Sequence, residues 1–469
     1  MTRAIAIVAI VAATFPPQAQ AQGVSPNPEE SSPGRPERVE GQIPSTISLT
    51  LEEAITRGLA TSHRLAEAAA RGEAATAVAD ARRAAALPAA AAQAGYTRTN
   101  HVDTFGILLP NNQLKVIYPD LPDNYRTRLD LQWAIYTSGR LGALERAARA
   151  EASAWGDDLN AARADLRLEI TRAYWALVTS IESQRVVQQS LTRMDAHLRD
   201  VRNQFNAGLV PPNEVSSVEA QESRQRMLSV QARVTRDVAQ AELAHLIGTA
   251  PGTPIQPVSA LEPPALSDAR DATTASARAV LAMVDEARVA RADRAALAKR
   301  VAAADERREA AATGNKPTVG VSGGFDYARP NPRIFPRQAA WRESWDASVS
   351  LNWPLFDGGR TRAEVAEAAA TKRAAEARLA DFDLALAVEV QQRASELESS
   401  RAAISAADDA VRSASEARRV VGDRFGAGVA TSTDVLDAQV ALLQAELDRT
   451  QAVANARLAE ARLTRALGK

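Results

Sequence analysis

The sequence predicts a mainly α chain that also contributes strands to a transmembrane β-barrel. Three observations carry this reading. A short alternating stretch runs into a long Ala- and charge-rich segment at 128–140 (RLDLQWAIYTSGR) and again at 348–360 (SVSLNWPLFDGGR). Leu131, Trp133, Gly139 and Arg140 match Leu351, Trp353, Gly359 and Arg360 at a constant offset of 220 residues, the mark of an internal duplication. No later stretch of 18 apolar residues follows the N-terminal segment. A passage through a bilayer must then be made by strands, because only helices and closed barrels satisfy the backbone in lipid.

Both joints follow from residue chemistry. Val349, Leu351 and Trp353 fall on one side of an extended chain and Ser348, Ser350 and Asn352 on the other, since strand side chains alternate. Pro354 withdraws a backbone donor, Asp357-Gly358-Gly359 turns the chain, and a helix starts at Arg360.

In chain order, residues 1–21 read as a secretory signal, with Arg3, an apolar core at 4–15 and an Ala19-Gln20-Ala21 cleavage site. That core falls short of the ~20 residues of a spanning helix. Residues 22–46, rich in Pro, Ser, Glu and Gly, read as a disordered lead-in. The first repeat, 47–248, opens with Thr50 three residues before Glu53, a capping box, and a helical pattern runs to about Leu87, before Pro88. Strands are expected at about 90–101 and 126–136, with a loop over 102–125. A helix follows over about 140–206. In its distal part Val187, Leu191, Met194, Leu198, Val201 and Phe205 step four-three, a coiled-coil seam. Gly208 ends this helix, and Pro211-Pro212 starts one that returns to Ile247-Gly248. A Pro-rich linker, 249–267, leads to the second repeat, 268–469, with strands at about 317–328 and 344–355. Before the strands the offset is 229 (Pro317 with Pro88), so the first copy carries the longer loop between its strands.

Alternation over about ten residues, with Trp and Tyr near the ends, is the pattern of a membrane barrel, although a half-buried soluble strand alternates in the same way. Four strands per chain are too few to close such a barrel, which needs ~8, so several copies must contribute. Trp133 and Trp353 each end a strand before a long helix and are expected at the membrane boundary. The net charge of −1 gives no support for nucleic-acid binding. The absence of Cys removes disulfides, thiolate metal sites and a lipidated N-terminal Cys. Gly320-Val321-Ser322-Gly323-Gly324 fits a nucleophile-elbow spacing but sits inside a strand pattern. His63, His101, His197 and His245 are scattered without ligand spacing. No enzyme activity, catalytic residue, cofactor or definite metal site is expected.

Five stretches carry a family likeness: W-P-L-F-D-G-G-R at 353–360 with its weaker partner at 133–140, the F-x-A-G-[LV] helix ends at 205–209 and 425–429, and T-D-V-L-D at 433–437. On these the chain resembles the outer-membrane efflux protein family, the TolC-like exit ducts, over about 47–468. The resemblance implies a homotrimer with one twelve-stranded barrel among the outer-membrane lipids of a Gram-negative bacterium. Below it would hang a periplasmic helical tunnel, fed by an inner-membrane pump and a periplasmic adaptor. Trp133, Gly139, Trp353, Pro354, Phe356 and Gly359 would form the strand–helix joint and membrane belt, and the turns at Gly208, Leu209, Gly428 and Val429 would meet the adaptor. The family's acidic gate falls on Asp434, Asp437 and Glu214. Residues i and i+3 share a helix face, so a three-fold ring would gather both aspartates of every copy and select cations. The same acids also read as helix-start residues, with Thr431 and Asp434 as a capping box. The sequence departs from the family at Ala430, in place of an arginine, and at Phe425, in place of a tyrosine, so the hydrogen-bonded lock at the tip is in question. The competing class is a periplasmic coiled-coil adaptor, which normally carries one hairpin flanked by soluble β modules.

Overall fold

The computed structural model describes residues 46–250, 252–264 and 277–469. The signal segment 1–21, all of the lead-in but Thr46, and the last three residues of the linker lie outside them. The first half begins with β1 (Ile47–Leu49), α1 (Leu51–Thr61) and α2 (His63–Ala84). The Thr50–Glu53 capping box is formed, with the Thr50 N–H donating to Glu53 Oε2 at 2.8 Å and Glu53 N–H to Thr50 Oγ1 at 3.3 Å. The helical stretch is not continuous as the sequence suggests. Ser62 takes an extended conformation, φ −70° and ψ 114°, ending α1 and capping α2. Its hydroxyl offers the Leu65 N–H an alternative to the helix ladder.

Next come β2 (Ala89–Arg98), β3 (Phe105–Leu108), β4 (Leu114–Tyr118) and β5 (Asp123–Tyr136). The stretch expected as loop therefore holds a small antiparallel hairpin, β3–β4, because its strands are apolar on both faces and show no period-two signal. The 67-residue helix α3 (Arg140–Asn206) is ~100 Å long. It is followed by α4 (Pro212–Leu246) and β6 (Ile255–Pro257). The linker is thus structured in part, with β6 pairing in parallel with β1. The Tyr174 hydroxyl ties this pair to α3, lying 3.2 Å from the Leu49 carbonyl oxygen and accepting from the Ser259 N–H at 3.2 Å.

The second half contains α5 (Ala277–Ala290), α6 (Ala292–Ala311), β7 (Thr318–Arg329), β8 (Arg342–Asn352), α7 (Arg360–Gly426) and α8 (Ser432–Ala466). Helix α7 has 67 residues and α8 has 35, the lengths of α3 and α4.

The four long strands form one antiparallel sheet in the order β2-β5-β7-β8, with Leu129 opposite Phe325 and Phe325 opposite Trp345. Among the described residues its edges, β2 and β8, have no partner strand on their outer sides. This register places Tyr96, Tyr125, Leu129, Leu131, Trp133, Phe325, Trp345, Val349 and Leu351 on one face, all exposed. Gln93, Arg126, Arg128, Asp130, Gln132, Ser322, Asp326, Asp346 and Ser348 take the other. Ser322 lies mid-strand with its hydroxyl 2.7 Å from that of Ser348, so the elbow-like spacing is plain strand.

Helix α3 is the spine: α1, α2, α4, α6 and α8 all pack on it. The largest core gathers Ile170, Tyr174 and Leu177 of α3 with Leu243 and Ile247 at the end of the first hairpin and Ile55 of α1. Among the described residues no helix is long and apolar enough to cross a membrane.

Candidate functional site: hairpin tips and strand–helix joints

Both hairpins close with the same backbone device. Gly208 and Gly428 adopt φ of 75° and 74°, in the left-handed region where a Cβ is penalised. Behind them the Leu209 N–H donates to the Gln204 carbonyl, and the Val429 N–H to the Arg424 carbonyl, each at 2.9 Å. These six-to-one bonds define a Schellman closure and satisfy carbonyls the helix end leaves open. A Cβ at either glycine would meet nothing within 4 Å, so the requirement is conformational. The turn leaves Leu209 and Val429 as apolar points in solvent, 74% and 63% exposed.

The helices that leave the turns differ. Helix α8 starts with a full capping box: Asp434 Oδ2 accepts from the Thr431 N–H at 2.8 Å, and Thr431 Oγ1 accepts from the Asp434 N–H at 3.2 Å. The Thr431 backbone and hydroxyl hold the Asp434 carboxyl below the ordinary carboxylate value. One turn on, Asp437 is exposed and has no hydrogen-bond or ion-pair partner among the described residues. Helix α4 starts instead with Pro211 and Pro212, and Glu214 in its first turn is half-buried, with Oε2 shielded and unpartnered. Each residue serves in a distinct way: Asp434 caps, Asp437 is free, and Glu214 is inset.

The structure brings the two tips together within one chain. Met194, Leu198 and Val201 of α3, Val218 of α4 and Leu436 of α8 form a small core, with Phe425 packed against it. Beside it His197 and Ser432 are both buried, with His197 Nε2 3.0 Å from Ser432 Oγ. The Phe425 ring meets the His197 ring edge-on at 5.2 Å. Burial pushes the His197 pKa down, partly opposed by the Asp200 carboxylate. One tie between the hairpins near the tips runs through His197 and Ser432, and Arg193 Nη2 donates to Glu446 Oε2 at 2.9 Å farther along the same helix pair. The two residues are 235 apart in sequence, and only the position of His197 beside Leu198 in the apolar seam hinted at its burial. No hydrogen bond or ion pair among the described residues joins Glu214 to Asp434 or Asp437.

At the opposite end, the joints are built alike. Gly139 and Gly359 precede α3 and α7 with φ of 87° and 88°. Trp133 Nε1 donates to the Ala86 carbonyl at 3.0 Å, and Trp353 Nε1 to the Asn315 carbonyl at 3.2 Å. Each indole thus pins the strand to the chain entering the neighbouring strand. The second joint adds the Asp357 carboxylate, which accepts from the Gly359 and Thr361 N–H groups at 3.0 and 2.8 Å. Pro354 is half-buried, while Trp353, Leu355 and Phe356 stand exposed, Phe356 at 90%. No group of three His, Cys, Asp or Glu among the described residues could hold a metal ion.

This geometry has close counterparts. The solved outer-membrane protein VceC of Vibrio cholerae superposes with a TM-score of 0.73 at 22% identity, covering 89% of this chain and 96% of that one. The open state of the MtrE outer-membrane channel of Neisseria gonorrhoeae superposes at 0.71 and 20% identity, covering 89% and 88%. In sequence, protein CyaE of Bordetella pertussis is 27% identical over 335 residues, 66% of this chain and 63% of its own length. The match therefore spans less than two thirds of that curated relative. The outer membrane efflux protein family matches residues 54–249 and 283–469. That is most of the chain, and the chain belongs to the outer membrane efflux protein family.

Proposed function

We propose that the protein is the outer-membrane exit duct of a tripartite efflux or type I secretion system, working as a homotrimer. The observation that carries this is the four-stranded sheet: one face apolar and exposed, both edges unpaired, each half running directly into a 67-residue helix. Three such sheets, edge to edge, would close a twelve-stranded barrel, present the apolar face to lipid and leave the polar face as the lumen. A periplasmic adaptor would leave that apolar face in water. Exposed stripes on the helices point the same way. Met227, Val230, Val234 and Val238 on α4, and Leu384 and Val388 on α7, are uncovered in one chain and would pack between copies.

The two repeats, 47–248 and 268–469, would each supply one strand pair and one hairpin. Trp133, Trp353 and Phe356 would mark the membrane boundary. The turns at Gly208, Leu209, Gly428 and Val429 would face a periplasmic adaptor and inner-membrane pump, which would provide the energy. Glu214, Asp434 and Asp437 would ring the inner tip as a cation-selective gate.

The Asp437→Asn variant tests the gate without touching the cap, because only Asp434 bonds Thr431. In planar bilayers an intact Asp437→Asn trimer is expected to show a lower cation-to-anion permeability ratio and weaker block by trivalent cations. Asp434→Asn together with Asp437→Asn should lower both further. Unchanged selectivity and block in an intact double variant would remove these residues from the gate.

A further inference from the structure

On the polar face of the sheet, away from the tips, lies a cluster of charge in an otherwise small-residue wall. Arg128 of β5 reaches across two strands: Nε bonds Asp130 at 2.6 Å, and Nη1 reaches Asp326 of β7 at 2.5 Å and Asp346 of β8 at 3.2 Å. It lies in the space left by Gly324, where a Cβ would collide with its guanidinium. Asp326, 1% exposed, is also bonded by Arg126 Nε at 2.6 Å, and Arg333 bonds Asp346 at 2.6 Å. Arg126 commits only Nε, so its terminal nitrogens have no partner among the described residues.

Next to this cluster is a cavity of about 290 Å³, lined by Arg126, Arg128 and Arg337 with Gln93, Thr97 and Asn124. Its lining contains three guanidinium groups and no carboxylate. Arg337, from the β7–β8 loop, has no carboxylate partner among the described residues, and its guanidinium stands over the Tyr118 ring at 5.2 Å. The β3–β4 hairpin therefore helps to hold it. Four arginines face three aspartates here, and the surplus cation, Arg337, borders the cavity with the unused nitrogens of Arg126.

We infer that this cavity is a binding site for a compact multivalent oxyanion, such as a phosphate- or carboxylate-bearing group of a solute in the duct. Guanidinium forks suit such groups because they donate paired hydrogen bonds to planar or tetrahedral oxyanions. Amide and hydroxyl groups of Gln93, Asn124 and Thr97 complete a polar lining. The cavity opens on the polar face, so its source is solute and not the lipid that meets the apolar face. The inference rests on reading that face as the lumen. It gives the duct an anion site at the outer mouth, distinct from the carboxylates at the inner tip.

Isothermal titration of inorganic pyrophosphate into the detergent-solubilised full chain tests it. One site per chain is expected, weakening as salt rises. Arg337→Gln should weaken binding severalfold, and Arg126→Gln with Arg337→Gln by at least about tenfold. Arg337 makes no ion pair among the described residues, so its single variant should fold even if the double variant does not. The Asp434→Asn, Asp437→Asn variant serves as a control and should bind pyrophosphate like the wild type, which keeps this test separate from the gate. No binding to the wild-type chain, or equal binding by Arg337→Gln, would overturn the proposal.

Discussion

The two helical hairpins have equal lengths and equivalent turns, yet they bury different things. At an offset of 220 residues, Ile170 and Tyr174 of α3 correspond to Val390 and Ala394 of α7. Tyr174 is fully buried and anchors the largest core, whereas the corresponding region around Leu386 and Val390 forms a smaller one. Helix α3 packs on five described helices, α1, α2, α4, α6 and α8; α7 packs on α5, α6 and α8, and its Leu384 and Val388 remain in solvent. The difference teaches that backbone punctuation was kept in both copies while side-chain content diverged. The first long helix is the spine of the chain, and the second keeps an apolar surface that one chain leaves uncovered.

Substitutions that treat equivalent helices unequally can break or sharpen this comparison. Tyr174→Ala removes a fully buried ring from the main core and is expected to cost about 3–5 kcal/mol, measured as a loss of folded protein in denaturant titration. Val388→Ala, on the exposed face of α7, should change the stability of a single chain by less than about 0.5 kcal/mol while weakening the oligomer. If both variants behaved alike in both assays, the division into spine and shared surface would be wrong.

A smaller effect is expected at the tips, where Phe205 is 42% exposed but its counterpart Phe425 is packed beside His197. Burial depresses the His197 pKa, so the folded state favours the neutral ring. The stability it contributes is present above the ordinary imidazole value of about 6.5 and is lost as the pH falls through the depressed folded value. Protection factors at the second tip, that is, exchange corrected for its intrinsic pH dependence, should therefore fall below pH ~6 in the wild type. In His197→Phe that pH dependence should be absent. The same acid sensitivity in His197→Phe would place the titrating group elsewhere.

The parts of the fold legible in the sequence are those set by local chemistry. Gly139, Gly208, Gly359 and Gly428 take positive φ and punctuate both hairpins, and the Thr50–Glu53 box fixes the start of α1. Features that depend on distant partners were hidden. The apolar, two-faced β3–β4 hairpin gave no alternation, and the stop at Ser62 looked like one more polar residue in a helical run. Neither the contact of His197 with Ser432 nor the reach of Arg128 over Gly324 has a local signature, because each joins residues about two hundred apart. At the tip, Asp434 and Asp437 were legible as acids on one face. Their split into a capping residue and an unpartnered one required the structure.

The central claim is that three copies close one barrel through β2 and β8. Within one chain these edges are separated by β5 and β7, so they lie three strand spacings, or ~14 Å, apart, beyond the reach of a disulfide. The chain contains no Cys, so engineered thiols report without background. Ala91→Cys on β2 should be combined in turn with Ser344→Cys, Ser348→Cys or Ser350→Cys on β8, oxidised in membranes and resolved on denaturing gels. The account predicts that at least one pair gives covalent dimer and trimer, with the ladder stopping at three. Monomer alone at every pair, or a ladder running past three, would contradict it.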